Sequence, residues 1–336
     1  MTGVGERFAR WLVLSFRLHR WEVTASVVGS ALLVVAMLIL TSQMRSMAAA
    51  HPECPDPASY LPGCEQFSQS FQGLADWASQ ALRVAWAAPF GMGLVLGVPL
   101  VAREVEQGTA AVAWTLSRSR VLWLARRVAF LLLVLVGLLL IIGLAAEVMA
   151  AAIAPTLRLD SDFTWYGRRG VLIAARGIAS LGLGVVIGAM VGRLLPAMLV
   201  AAFASVLLFG AVTFGMDRWL EADAEVVPAM NGGIGSDPSG ALLLGTRIEL
   251  PSGELATWDS LFQRGFNDIY EDMDGRIYTN EEDVGHHELA IGVDRQLVIR
   301  GHLYPAILLR ESAVVAGIGG VLGLLAALVV RRRRPA

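Results

Sequence analysis

The residues best equipped for chemistry fall into three groups. The first is a charged corner, Arg103, Glu104, Glu106, Gly108 and Thr109, within Val98-Pro-Leu-Val-Ala-Arg-Glu-Val-Glu-Gln-Gly-Thr109. Acids standing among arginines either pair with their neighbours or meet basic groups on a partner. Gly108-Thr109 reads as the end of one helix and the start of another, with Thr109 as its N-cap. The second group is Glu147, Arg176, Arg310 and Glu311, four ionisable residues set inside apolar runs. Charge in hydrocarbon is costly, so such groups pair or line a wet cavity, and Glu147 with Arg176 is the expected ion pair. A structural pair between helices, or side chains reaching for the interface, accounts for the same residues. The third group is Cys54 and Cys64, the only cysteines, set among prolines at 52, 55, 57 and 62. Outside a cell they would close a short disulfide loop.

Other chemistry is excluded or weakly signalled. All 27 basic residues are arginine. That removes a phosphate-binding loop with its lysine, a Schiff-base lysine and a Ser-x-x-Lys nucleophile. Asp272, Asp274, Gly275, Ile277 and Glu281 fit part of a calcium-loop pattern, but Tyr270 stands at its first position and a hairpin turn at Asp274-Gly275 explains them better. His286, His287, Glu288 and His302 match no standard zinc spacing, so no metal is expected. No intramembrane Asp-Asp, Ser-His or His-Glu-x-x-His set appears, and no catalytic residue is assigned.

The elements that must position these groups are apolar and long. Hydrophobic residues make up 55% of the 336, charged residues 17%, and the mean hydropathy is +0.59, which departs from a soluble domain towards a membrane protein. Runs at Val23–Thr41, Val84–Ala102, Val128–Ala154, Val171–Val191, Leu194–Met216 and Ala306–Val330 are each long enough to cross about 30 Å of hydrocarbon. The first exceeds a signal-peptide core and is read as an uncleaved span. The second carries Pro89 and Pro99 with Gly91, Gly93 and Gly97, which predicts a kinked, closely packed helix. Gly184, Gly188 and Gly192 repeat every four residues in the fourth, a face that another helix can approach.

With the N-terminus in the cytoplasm, fourteen arginines fall in short inner segments, whereas the short outer loops hold Arg45, Arg83, Arg158, Arg168 and Arg169. The positive-inside rule therefore places both termini in the cytoplasm. The outer loop 42–83 includes Phe67, Phe71, Leu74, Trp77 and Leu82 at helical spacing, an expected amphipathic helix on the outer membrane face or on the ectodomain. The segment 217–304 carries seventeen acids against six arginines and reads as a small mixed α/β extracytoplasmic domain, with strands at Thr246–Leu250 and Leu297–Arg300. A net charge of −2 offers no nucleic-acid surface. The fold class is thus an all-α polytopic membrane protein of six transmembrane helices. Its divisions are 1–22, 23–216 with a cytoplasmic segment 103–127, 217–304, and 305–336 with the basic tail.

The corner at Arg103–Thr109, continuing through Trp114-Thr-Leu-Ser-Arg-Ser-Arg120 to Trp123 and Arg126-Arg127, resembles the permease subunit of a type 2 ABC exporter, in which an acidic pair and Gly-Thr follow span 2. The basic, Trp-containing segment before span 1, with Phe8, Trp11, Leu12 and Phe16, is similar to that family's elbow helix. Tyr304-Pro305 followed by Glu311 resembles a pattern of actinobacterial members with large outer domains. The resemblance implies a bacterial plasma-membrane permease whose Arg103, Glu104, Glu106, Gly108 and Thr109 couple to a separate cytoplasmic ABC ATPase subunit. The chain itself would need no cofactor, ATP and Mg belonging to that partner, and a second permease copy or paralogue would complete the assembly. Glu147, Arg176, Arg310 and Glu311 would then bound the outer end of the translocation path. The competing reading is a membrane sensor or scaffold whose acidic ectodomain binds a ligand; the substrate is not legible.

Overall fold

The computed structural model describes residues 16–54, 63–110, 112, 119–155, 158–228, 240–263, 270–271, 276–278 and 292–333. Most of the expected elbow segment, residues 1–15, lies outside the described residues, as do Trp114 to Arg118, Asp272 to Gly275, Glu281 and His286 to Glu288. Six helices are long and apolar enough to cross a membrane. In chain order they are α1 (Arg20–Ala50), α2 (Glu65–Gly97) with its continuation α3 (Pro99–Glu106), α4 (Arg120–Ile153), α5 (Leu172–Val191), α6 (Leu194–Glu221) and α8 (Tyr304–Arg332).

The first two helices outrun their apolar stretches. Residues 42–50 are rich in Ala and Met, good helix formers, so α1 runs on to Ala50 before His51-Pro52. The expected surface helix around Phe67 is instead the first half of α2, continuous with span 2. Phe67 and Phe71 are buried in the core cluster that holds Cys54, Cys64 and Met44, while Trp77 stays exposed. The amphipathic face is real, but a partner helix within the bundle covers it. Cys54 and Cys64 are joined by a disulfide, Cα atoms 6.0 Å apart, across the turn between α1 and α2.

The chain divides into two compact units. The first comprises Met1–Leu157, Trp165–Val212 and Ile307–Ala336. Its centre is α5, whose most apolar window is 89% buried, against 17% for α6 and 22% for both α1 and α8. A stripe on α4, Leu131, Leu135, Leu139 and Ile142, is fully buried, the spacing of one helix face. Small residues bring α2 and α5 into backbone contact. A Cβ on Gly97 would lie 2.7 Å from the Leu181 carbonyl oxygen, and one on Gly188 would lie 2.5 Å from that of Val98. Gly91 faces open space, so only part of the expected glycine face is used. Gly192 does not continue the stripe: at φ +67° it is the left-handed terminus of α5. The bend in span 2 falls at Val98, where Pro99 starts α3 at a position that needs no amide donor.

The second unit, Arg158–Thr164 with Thr213–Ala306, is built on an antiparallel sheet of β1 (Glu225–Pro228), β2 (Leu242–Glu249), β3 (Leu255–Ala256), β4 (Tyr270–Glu271), β5 (Arg276–Tyr278) and β6 (Gly292–Ile299), with a short α7 (Trp258–Gln263). β6 is the spine. One of its edges pairs with β2 along its length, and the other is shared end to end by β5 and β1. Ile248, Ala256, Leu261 and Ile277 form its small core. The expected strands near 246–250 and 297–300 are the ends of β2 and β6. The expected hairpin pairs Tyr270 with Tyr278 and Glu271 with Ile277, and its turn at Asp274-Gly275 lies outside the described residues. Arg295 crosses from β6 to Glu249 of β2 at 2.6 Å.

Candidate functional site

Two polar assemblies hold the first unit together, one at each end of the expected spans. The assembly on the arginine-rich side is built where α1, α3 and α4 meet. α3 ends with Gln107 N donating to Arg103 O and Gly108 N to Val105 O, both backbone bonds of a closing turn. Gly108 takes φ +70° and has nothing within 4 Å of where a Cβ would stand, so its role is conformational. The Thr109 hydroxyl donates back to Glu104 O at 3.3 Å, which makes it part of the α3 terminus rather than the N-cap expected of it. Helical geometry resumes at Thr109-Ala110.

The two acids of this corner are engaged within the chain. Glu104 forms an ion pair with Arg127, and the Arg127 guanidinium stacks 4.4 Å from the Trp123 ring centroid. Glu106 Oε2 accepts from Leu194 N at 2.8 Å, an acid at the N-terminus of α6 where the helix dipole favours it. Arg103 reaches Glu22 of α1 at 3.2 Å. Arg120 donates to Arg333 O at 2.6 Å, and Arg333 donates to Ala189 O. Three helices, α1, α4 and α6, are thereby tied to α3 at one knuckle, whose exposed residues are Arg103, Glu106, Gln107, Gly108 and Thr109. A crevice of about 350 Å3 opens beside it, lined by His19, Glu22, Arg103, Glu104 and Arg127 among others.

The opposite assembly holds three of the four expected intramembrane charges, Glu147, Arg176 and Glu311, and their partners differ from the expected ones. Glu147 pairs with Arg169 at 2.7 Å, not with Arg176. Arg176 reaches Glu311 of α8 at 3.3 Å and donates to Gly167 O at 2.6 Å, and Tyr166 Oη donates to Glu311 Oε2 at 2.6 Å. Arg310 is half-buried in the same turn of α8.

The reason is the path of the chain before α5. Trp165, Gly167 and Gly170 all have positive φ, which folds 165–170 back onto the helices, and Gly170 N donates to Gly143 O of α4. A Cβ on Gly143 would stand 2.5 Å from the Gly170 carbonyl oxygen, so this approach requires glycine there. The strap carries Arg169 to 1% exposure, where it neutralises Glu147 before Arg176 can. Arg169 and Tyr166 were not singled out by sequence reasoning; the signal was Gly167-Arg-Arg-Gly170, an arginine pair between two glycines. Among the described residues no group of three or more metal-ligating side chains converges.

Residues 27–220 match a protein family described as ABC-2 membrane transporter related. No curated protein and no solved structure matches the chain.

Proposed function

The chain belongs to the ABC-2 membrane transporter related family, and from that premise we propose that it is the permease subunit of an ABC exporter in a bacterial plasma membrane. It forms the translocation path and takes its energy from a separate cytoplasmic ATPase, which binds ATP and Mg. A second permease, identical or paralogous, completes the path.

The observation that carries this reading is the knuckle at Arg103–Thr109. A transport subunit without a nucleotide site must receive force through a small surface rigidly joined to its spans. Here Glu104–Arg127, Glu22–Arg103 and Glu106–Leu194 lock that surface to α4, α1 and α6, while Gln107, Gly108 and Thr109 remain exposed. The acids act as the frame behind the contact, and the exposed turn is the contact itself.

The test is purification of the tagged full chain in mild detergent, with bound proteins identified and ATP hydrolysis assayed. An ATPase should accompany the wild type. Gln107→Trp, which adds bulk at an exposed position, should release it or uncouple hydrolysis while leaving the thermal midpoint of the permease unchanged. A stable preparation that retains no ATPase would instead favour a sensor or scaffold.

A further inference from the structure

We propose that the crevice beside the knuckle is a binding site for a primary ammonium group, with His19, Glu22 and Glu104 as its three acceptors and a zwitterionic lipid headgroup or a soluble phosphoethanolamine as its source. This goes beyond the coupling role and holds whether or not an ATPase docks nearby.

The crevice is a built site. His19 is 7% exposed, lines the crevice, and its Nε2 has no partner among the described residues. The same is true of Glu22 Oε2 and Glu104 Oε2. Each carboxylate uses its other oxygen on an arginine, Arg103 or Arg127. Buried polar atoms in this state are costly unless a ligand satisfies them. All three can accept: two are carboxylate oxygens, and a neutral imidazole protonated on Nδ1 presents Nε2 as an acceptor. Burial, and next the Arg127 guanidinium, push the His19 imidazole below its ordinary range, which favours the neutral form.

The charge of the lining selects the ligand. Glu22 and Glu104 are balanced by Arg103 and Arg127, so the site as a whole is neutral. An isolated anion would meet the orphaned oxygens and an isolated cation the two guanidiniums. A zwitterion satisfies both, its ammonium supplying three N–H donors and its phosphate lying against Arg103, which is 48% exposed at the mouth. The volume of about 350 Å3 far exceeds the share of a single water, about 30 Å3.

Depth agrees with a lipid. His19 and Glu22 precede the first apolar run directly, and Trp21 is exposed beside Arg20, whose guanidinium lies 5.2 Å from the ring. Tryptophan and arginine at this position mark a membrane interface, and Leu18, Pro99 and Leu100 give the crevice an apolar side.

The experiment uses the full chain in mild detergent, following its thermal midpoint with added phosphatidylethanolamine, phosphatidylcholine of the same acyl chains, or soluble phosphoethanolamine. Phosphatidylethanolamine should raise the midpoint by on the order of 3 °C at saturation. Phosphatidylcholine, whose trimethylammonium has no N–H, should not. The Glu22→Gln, Glu104→Gln double variant should abolish the difference; should that variant fail to fold, His19→Phe, which fills the crevice, should abolish it too. A rise with phosphoethanolamine alone identifies a soluble ligand, and its absence identifies the lipid. Equal responses to the two lipids, or a full difference retained in the folded variants, would overturn the assignment.

Discussion

Arg169 Nη1 lies 2.7 Å from Glu147 Oε2, so an arginine assigned by sequence position to an outer loop is buried against the end of α4. This pairing, and not one between Glu147 and Arg176, neutralises the acid in the third span.

Glu147→Gln should therefore leave Arg169 buried without a counter-charge and cost about 2 kcal/mol, at the low side of buried pairs because Glu147 is 28% exposed. Adding Arg169→Gln should restore much of the loss, whereas adding Arg176→Gln should deepen it by stranding Glu311. A thermal double-mutant cycle in detergent reads the coupling; rescue by Arg176→Gln and not by Arg169→Gln would contradict the assigned partners.

Gly188→Ala should destabilise the bundle by about 2 kcal/mol or more, since the added methyl meets the Val98 carbonyl oxygen at 2.5 Å and neither backbone can yield cheaply. Gly91→Ala, with open space around it, should be neutral or stabilising by up to roughly 1 kcal/mol through helix propensity. Comparing the two thermal midpoints separates close packing from glycine content.

Removing the disulfide by Cys54→Ser and Cys64→Ser should cost roughly 3 kcal/mol, from a sequence separation of 10 residues and the loop-closure entropy returned to the unfolded chain. Reductant should lower the wild-type midpoint by the same amount and leave the double variant unchanged.

Burial raises the Asp294 carboxyl above its ordinary 3.8. The folded second unit therefore holds this proton more tightly than the unfolded chain. Its stability is greatest below the unfolded pKa and falls as pH rises through the folded one. Asp294→Asn should remove that loss and increase amide protection in β2 and β6 at neutral pH. Hydrogen exchange across residues 242–249 and 292–299, measured at several pH values, checks this; protection that rises with pH in the wild type would reverse the sign.

The six spans were legible because twenty apolar residues have few alternatives to a membrane helix. Helix ends were less so: α1 continues through Ser42 to Ala50, where Met44 is buried but polar neighbours interrupt the apolar run, and Phe67 and Phe71 mark an apolar face without saying what covers it. Polar partners were the least legible. Glu147 was expected to meet Arg176; it meets Arg169 instead, because the glycines at 167 and 170, whose left-handed φ turns the chain inward, bring in an arginine that sequence position assigned to a loop. Likewise Glu104 and Glu106 read equally well as internal or external contacts until Arg127 and the amide of Leu194 were placed beside them.

The glycine contact between α2 and α5 has a mechanical consequence. Where two backbones touch, no side chains remain to change rotamer or slide past one another, and such slip between packed helices is how shear motions proceed. Span 2 and span 4 then move as a single keel, and because α3 continues span 2, the knuckle at its end is joined to that keel without slack. The planks around that keel share far less interior with it, above all α6, whose apolar window is only 17% buried and which the Glu106–Leu194 bond fastens at one end.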